Sequence, residues 1–189
     1  MNALLEEEGK YLHKIAGVVD PYPDNCPQLN EIIKRDIPIF QTLDQFYAVS
    51  HADLAIISSP IQFHASQTCL ALVHGSNVLC EKPLAATIQD ALLMIKARDQ
   101  ANKFVSIGYQ LSFSEEIQNL KRDIRSGIFG KPKRFKSPRS ENYYSRGWAG
   151  KMKDNQGNIV MDSVSNNATS HQIHNMFYVL GNAIDNRPV

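Results

Sequence analysis

Three short stretches of this sequence hold side chains suited to chemistry on a small hydroxyl-bearing molecule. Lys82 stands between Glu81 and Pro83, directly after the apolar run Asn77-Val78-Leu79-Cys80. Proline cannot continue a strand ladder, so this lysine is expected at the end of a buried strand. A lysine held there over a cofactor hydrogen-bonds a substrate hydroxyl and stabilises the oxyanion that forms on it, by loss of its proton, during hydride transfer. His171 and His174 are three residues apart in a helical stretch, which puts them on one face. Imidazole titrates near neutrality, as general acid–base work requires. Asp20 follows the apolar run Ile15-Ala16-Gly17-Val18-Val19. An acid at the end of such a strand accepts hydrogen bonds from a ribose diol.

Each of these residues also has a plainer reading. A strand-end lysine is often a solvated charge, and a helical histidine a satisfied structural one. Asp20 before Pro21 can serve only to initiate a turn. His171, His174 and Asp162 offer a metal reading, but no acid stands at close helical spacing to complete a site, and no metal is expected.

The elements that must position these residues are legible from periodicity and punctuation. Apolar runs at 15–19, 53–60, 77–80 and 104–108 read as buried strands. Helices are expected over 2–12, 26–34, 43–49, 64–74 and 87–101, with a brief extended piece at 37–40. Gly75 should cap one helix, and Thr87, three residues before Asp90, should start another. Strands alternating with helices call for a parallel sheet covered on both faces, with ligands at the strands' carboxyl ends. The residues to inspect are therefore Asp20, Ser58 to His64, Glu81-Lys82-Pro83 and Tyr109-Gln110. Beyond Gly108 the character changes. An amphipathic helix over 115–126 ends at Gly127, residues 132–140 are basic and extended, 141–158 are loop-like, and a closing helix over 168–180 ends at Gly181. A domain boundary is expected near residue 110.

Composition narrows the function classes. A formal net charge of +1 over 189 residues leaves no field for nucleic acid or an anionic membrane. No apolar run approaches the roughly 20 residues that span a bilayer. The first eight residues are acidic where a secretory signal would be basic. Three cysteines without a C-x-x-C pair argue against a disulfide framework and for a reducing cytoplasm.

One linked set of residues carries a resemblance: Asp53-Leu54-Ala55-Ile56-Ile57-Ser58-Ser59-Pro60, then His64, then Gly75-Ser76-Asn77-Val78-Leu79-Cys80-Glu81-Lys82-Pro83-Leu84-Ala85. Further on, Gly108-Tyr109-Gln110, the Gly127-x-x-Gly130-Lys131-Pro132 turn and the helix from His171 to Gly181 extend it. In these the chain resembles the Gfo/Idh/MocA oxidoreductase family. The resemblance implies an α/β fold: an incomplete Rossmann-type parallel sheet over 1–110, followed over 111–189 by the start of an α/β substrate and oligomerisation domain. It implies Lys82 and His171 as catalytic residues, with Asn167, four positions before His171, orienting a substrate hydroxyl. Cofactor contacts would come from Asp20, Ser58, Pro60, His64, Glu81, Lys82 and Gln110. Tyr144, Arg146 and Trp148, with His174, would face a sugar or polyol, and Arg139 and Tyr143 belong to the same polar-aromatic stretch. The cofactor is expected to be NAD rather than NADP, because no Arg or Lys follows Asp20 within ten residues to meet a 2′-phosphate. The family opens on a strand and a Gly-x-Gly-x-x-Gly turn whose amides hold pyrophosphate, and this sequence contains no such turn. It is therefore expected to be a fragment of a longer, oligomeric enzyme and to bind NAD weakly or not at all by itself. The alternatives are a non-catalytic remnant or sugar-responsive binding protein of the same fold, and a metal-dependent sugar enzyme.

Overall fold

A computed structural model describes Leu5, residues 13–138, Gly157 and residues 169–181. The helix expected over 2–12 (Leu5 apart), most of the loop at 141–158, and Arg139, Tyr143, Tyr144, Arg146, Trp148, Asp162 and Asn167 lie outside the described residues.

Among the described residues five strands form, all in parallel pairs. β1 (Val18–Val19) pairs with β2 (Ile39–Phe40). α1 (Leu29–Lys34) connects them and α2 (Leu43–Val49) follows. β3 (Leu54–Ile57), β4 (Asn77–Glu81) and β5 (Val105–Gly108) make a second sheet in sequence order. Its crossovers contain α3 (His64–Val73) and α4 (Ile88–Ala101). The brief extended piece at 37–40 is thus a strand in its own right, while the run at 15–19 contributes only its last two residues to the ladder.

Local chemistry starts and stops these elements. Thr87 accepts from the Asp90 amide and donates to the Asp90 carboxylate at 2.8 Å, capping α4 as its spacing predicts. At the end of α3, Ser76 N–H donates to Ala71 O and Gly75 N–H to Leu72 O. That double closure needs a residue at positive φ, and Gly75 supplies it at +83°. Tyr47 donates to Ser76 Oγ at 2.7 Å, and Ser76 in turn donates to Ala52 O at 2.6 Å. This buried relay ties α2 to the ends of β3 and β4 without leaving a polar atom unpaired.

One hydrophobic cluster unites the sheets. Phe46, Ile57, Leu72, Val78, Cys80 and Met94 form it, with Val19 and Phe40 packed against them. Inverse alternation along the three-stranded sheet explains its sidedness. Val78 and Cys80 are fully buried against α3 and α4, whereas Leu54 and Ile56, pointing the other way, are 45% and 43% exposed. Among the described residues the second layer, α3 and α4, lies on the face of Val78 and Cys80. An apolar run reports that a strand is hydrophobic and says nothing of which face a second layer reaches.

Beyond β5 a single 3-10 turn (Gln110–Phe113) leads into α5 (Glu115–Arg125), and α6 (Ser170–Leu180) packs on both.

Candidate functional site

The parallel register sets the strand ends level. Ile57 pairs with Cys80, Cys80 with Ile107, and Glu81 with Gly108. Ser58, Glu81 and Gly108 therefore stand side by side at the carboxyl edge, with Lys82 and Tyr109 one residue beyond. A Cβ at Gly108 would lie 3.3 Å from the Glu81 carboxyl group, so the glycine lets that carboxylate lie across the end of β5. Glu81 Oε2 accepts from the Lys82 amide at 3.2 Å. Glu81 thus steadies the backbone that carries Lys82.

His64 opens α3 and is 1% exposed. Its Nδ1 lies 2.9 Å from Pro83 O and its Nε2 2.9 Å from Ser59 O. Carbonyl oxygens only accept, so each contact is a hydrogen bond when that nitrogen carries its proton. The ring clamps the turn after β3 to the turn after β4, where the Lys82–Pro83 peptide is cis. Ser58 and Pro60 are exposed beside it, as is Gln110 at the end of β5. Burial pushes the Cys80 thiol up to about 11, which keeps it protonated and unreactive next to the lysine.

Asp20 ends β1. Its Oδ1 accepts from the Tyr22 amide at 2.8 Å, the turn-initiating role that its position before Pro21 suggests. The same bond fixes the carboxylate and leaves Oδ2 open to a diol, so the turn and ribose readings are compatible.

His171 and His174 meet the sheet through Tyr109, a residue that strand-end inspection marked without giving it a role. The Tyr109 ring stacks on His174 at 4.2 Å between centroids and presents its edge to His171 at 5.8 Å. Burial raises the Tyr109 phenol above its ordinary range, against a backbone hydrogen bond at Leu84. Tyr109 thereby joins the Lys82-Pro83-Leu84 segment to the helix bearing both histidines. His171 is 5% exposed.

A second anchor, Ser112, escaped sequence reasoning. It is fully buried, 2.7 Å from His174 Nδ1 and 2.6 Å from Asn175 Oδ1. A proton arrangement that satisfies all three runs from His174 Nδ1–H to Ser112 Oγ, and from Ser112 O–H to Asn175 Oδ1. Burial holds the His174 pKa below its ordinary value, and the Lys121 charge lowers it further. The folded state therefore favours neutral His174, and protonation favours the unfolded chain. Stability is expected to be intact above about pH 6.5, the ordinary histidine value, and to decline as pH falls below it. Urea midpoints between pH 7.5 and 5 measure this, and His174→Gln should flatten the decline; an unchanged slope would assign it to other groups.

Among the described residues no three His, Cys, Asp or Glu side chains converge as metal ligands. No helix among them is long and apolar enough to cross a membrane.

The chain is similar to known proteins. Residues 1–109 match the profile of an oxidoreductase family with an NAD-binding Rossmann fold, the Gfo/Idh/MocA group. The chain is 30% identical to the rhizopine catabolism protein MocA of Rhizobium meliloti over 122 residues, which make up 63% of this chain and 37% of that protein. It is 32% identical to inositol 2-dehydrogenase of Rhodococcus jostii over 79 residues, 41% of this chain and 22% of that protein. The crystal structure of the WlbA dehydrogenase from Bordetella pertussis, in complex with NADH and UDP-GlcNAcA, superposes with a TM-score of 0.60 at 23% identity. It covers 68% of this chain and 38% of that one, and at this identity it speaks for the fold alone. The chain spans at most 37% of the length of the two sequence relatives.

Proposed function

The chain belongs to the Gfo/Idh/MocA oxidoreductase family, and from that premise we propose that the protein oxidises a secondary hydroxyl of a sugar or polyol with NAD. The observation that carries this reading is the link from the Lys82 segment through Tyr109 to His171, at the carboxyl ends of parallel strands. Lys82 hydrogen-bonds the reacting hydroxyl and stabilises the oxyanion that develops on it. His171 takes the hydroxyl proton. Asn167 is assigned to orienting the substrate, and Tyr144, Arg146, Trp148 and His174 to recognising the sugar.

The residues present fit the ribose and nicotinamide ends of NAD. Asp20 keeps one carboxylate oxygen for the adenosine ribose, and Ser58, Pro60, Lys82 and Gln110 lie at the strand ends where the nicotinamide side would rest. NAD supplies the hydride acceptor when bound. NAD is favoured over NADP because residues 21–30 hold no cation for a 2′-phosphate. His64 and Glu81 serve the cofactor indirectly, by fixing the two turns. A domain boundary near residue 110, a homo-oligomeric assembly and a cytoplasmic setting complete the reading. The boundary is supported by the packing of the 110–113 turn, α5 and α6 on one another.

The test is NADH formation, read at 340 nm with a panel of sugars and polyols, by the protein expressed from its natural reading frame. Turnover with at least one polyol is expected. A folded protein that yields no NADH from the whole panel would leave the fold without this activity.

A further inference from the structure

A groove of about 510 Å³ opens between α5 and α6, lined by Gln118, Lys121, Arg122, Arg125 and Tyr178. Three of its five residues are cations, and no carboxylate lines it. Lys121 is 8% exposed as a residue, its stem packed away while it lines the groove. Among the described residues its contact is the face of Tyr178, with Nζ 3.4 Å from the ring centroid. A cation–π contact is weaker than an ion pair with an anion in the same groove. Arg122 is held by Asp123 at 3.0 Å, whereas Arg125 is exposed and has no acidic partner among the described residues.

Neutral donors complete the groove. Gln118 Nε2 donates to Ser112 O at 2.6 Å and to the Tyr178 hydroxyl at 2.8 Å. With its oxygen already accepting, the Tyr178 O–H has its own proton to give. Lys121, Arg125 and Tyr178 are thus all donors, and the complementary ligand is an oxyanion.

The groove is aligned with the candidate site. Tyr178 lies seven residues after His171 on α6, two turns along the same face and roughly 10 Å away. The Tyr109, His174 and Tyr178 rings form a continuous stack between the two points, at 4.2 and 6.0 Å. We propose that the substrate is an anionic sugar derivative whose carboxylate or phosphate group seats in the groove among Lys121, Arg125 and Tyr178, while its hydroxyl reacts beside His171. This rests on the sugar or polyol reading above and narrows its substrate class.

Titration of the isotope-labelled 189-residue chain by NMR, at constant ionic strength, tests it with four probes: galacturonate, galactose 6-phosphate, galactose and inorganic phosphate. The two sugar anions are compared to learn which oxyanion the groove prefers. At least one is expected to shift the Lys121, Arg125 and Tyr178 resonances, and galactose to leave them in place. Arg125→Gln, at an exposed position that the fold does not need, should weaken the preferred anion about tenfold. Lys121→Met should do the same if it folds. Equal responses to galactose and the sugar anions would overturn the proposal, as would an unchanged affinity in Arg125→Gln. Inorganic phosphate binding as tightly as the preferred sugar anion would also overturn it, by making the groove a plain ion site. NADH formation is a separate readout, so a protein that binds sugar anions here without turnover would count against the dehydrogenase reading alone.

Discussion

Replacing Lys82 with methionine is expected to slow NADH formation about 10²- to 10³-fold while leaving the protein folded. Methionine keeps a long apolar stem and removes the ammonium. Two contacts of the turn survive the substitution: Pro83 O is held by His64 and the Lys82 amide by Glu81. The loss should fall on kcat more than on KM. The hydroxyl is neutral in the ground state and gains negative charge as its proton passes to His171, before the departing hydride leaves a neutral carbonyl, so the ammonium matters most in the transition state. Steady-state kinetics of the wild type and Lys82→Met with one polyol, alongside thermal melts of both, measure it. Unchanged kcat in a folded variant would remove Lys82 from the chemistry. A rise in KM alone would make it a binding residue.

Much of the scaffold was legible in the sequence because it follows from short-range rules. Thr87 with Asp90, Gly75 after α3 and the apolar runs at β3, β4 and β5 are each set by a few adjacent residues, and each forms where expected. The strand-end rule also marks Asp20, Ser58, Lys82 and Gln110 from the sequence alone. What local pattern does not carry is pairing between distant segments. Ile39–Phe40 is too short to announce itself as a strand and becomes one by lying beside β1. Ser112 reaches His174 across 62 positions, and nothing near residue 112 marks a serine that will be fully buried. Tyr109 was flagged only as a strand-end residue. Its link between the lysine segment and both histidines depends on where α6 docks, which is a tertiary fact.

His64 makes the same point in its strongest form, since the sequence marks the histidine but assigns it to the cofactor. Buried at 1% exposure between Ser59 O and Pro83 O, the ring holds two strand-end turns together from within. His64→Ala is expected to cost about 3–5 kcal/mol in urea unfolding at pH 7. Part of that comes from the void left by the imidazole, which close-packed neighbours fill only in part. The rest comes from leaving a carbonyl oxygen that accepted from the ring's N–H without its donor. His64→Phe separates the two causes. It restores the volume without the hydrogen bond, and it should recover less than half of the loss. Full recovery by phenylalanine would mean that His64 acts as packing and that the turns are fixed by something else. Loss of the clamp should also reach the chemistry. The segment from Lys82 to Leu84 lies between Pro83 O, which His64 holds, and Tyr109, which faces His171. Freeing one end of that segment should lower kcat as well as stability, because a displacement of about 1 Å at a reacting group can cost roughly 10²-fold. A His64→Phe protein that folds, recovers part of the stability and still shows reduced kcat would locate the function of this histidine in the placement of Lys82.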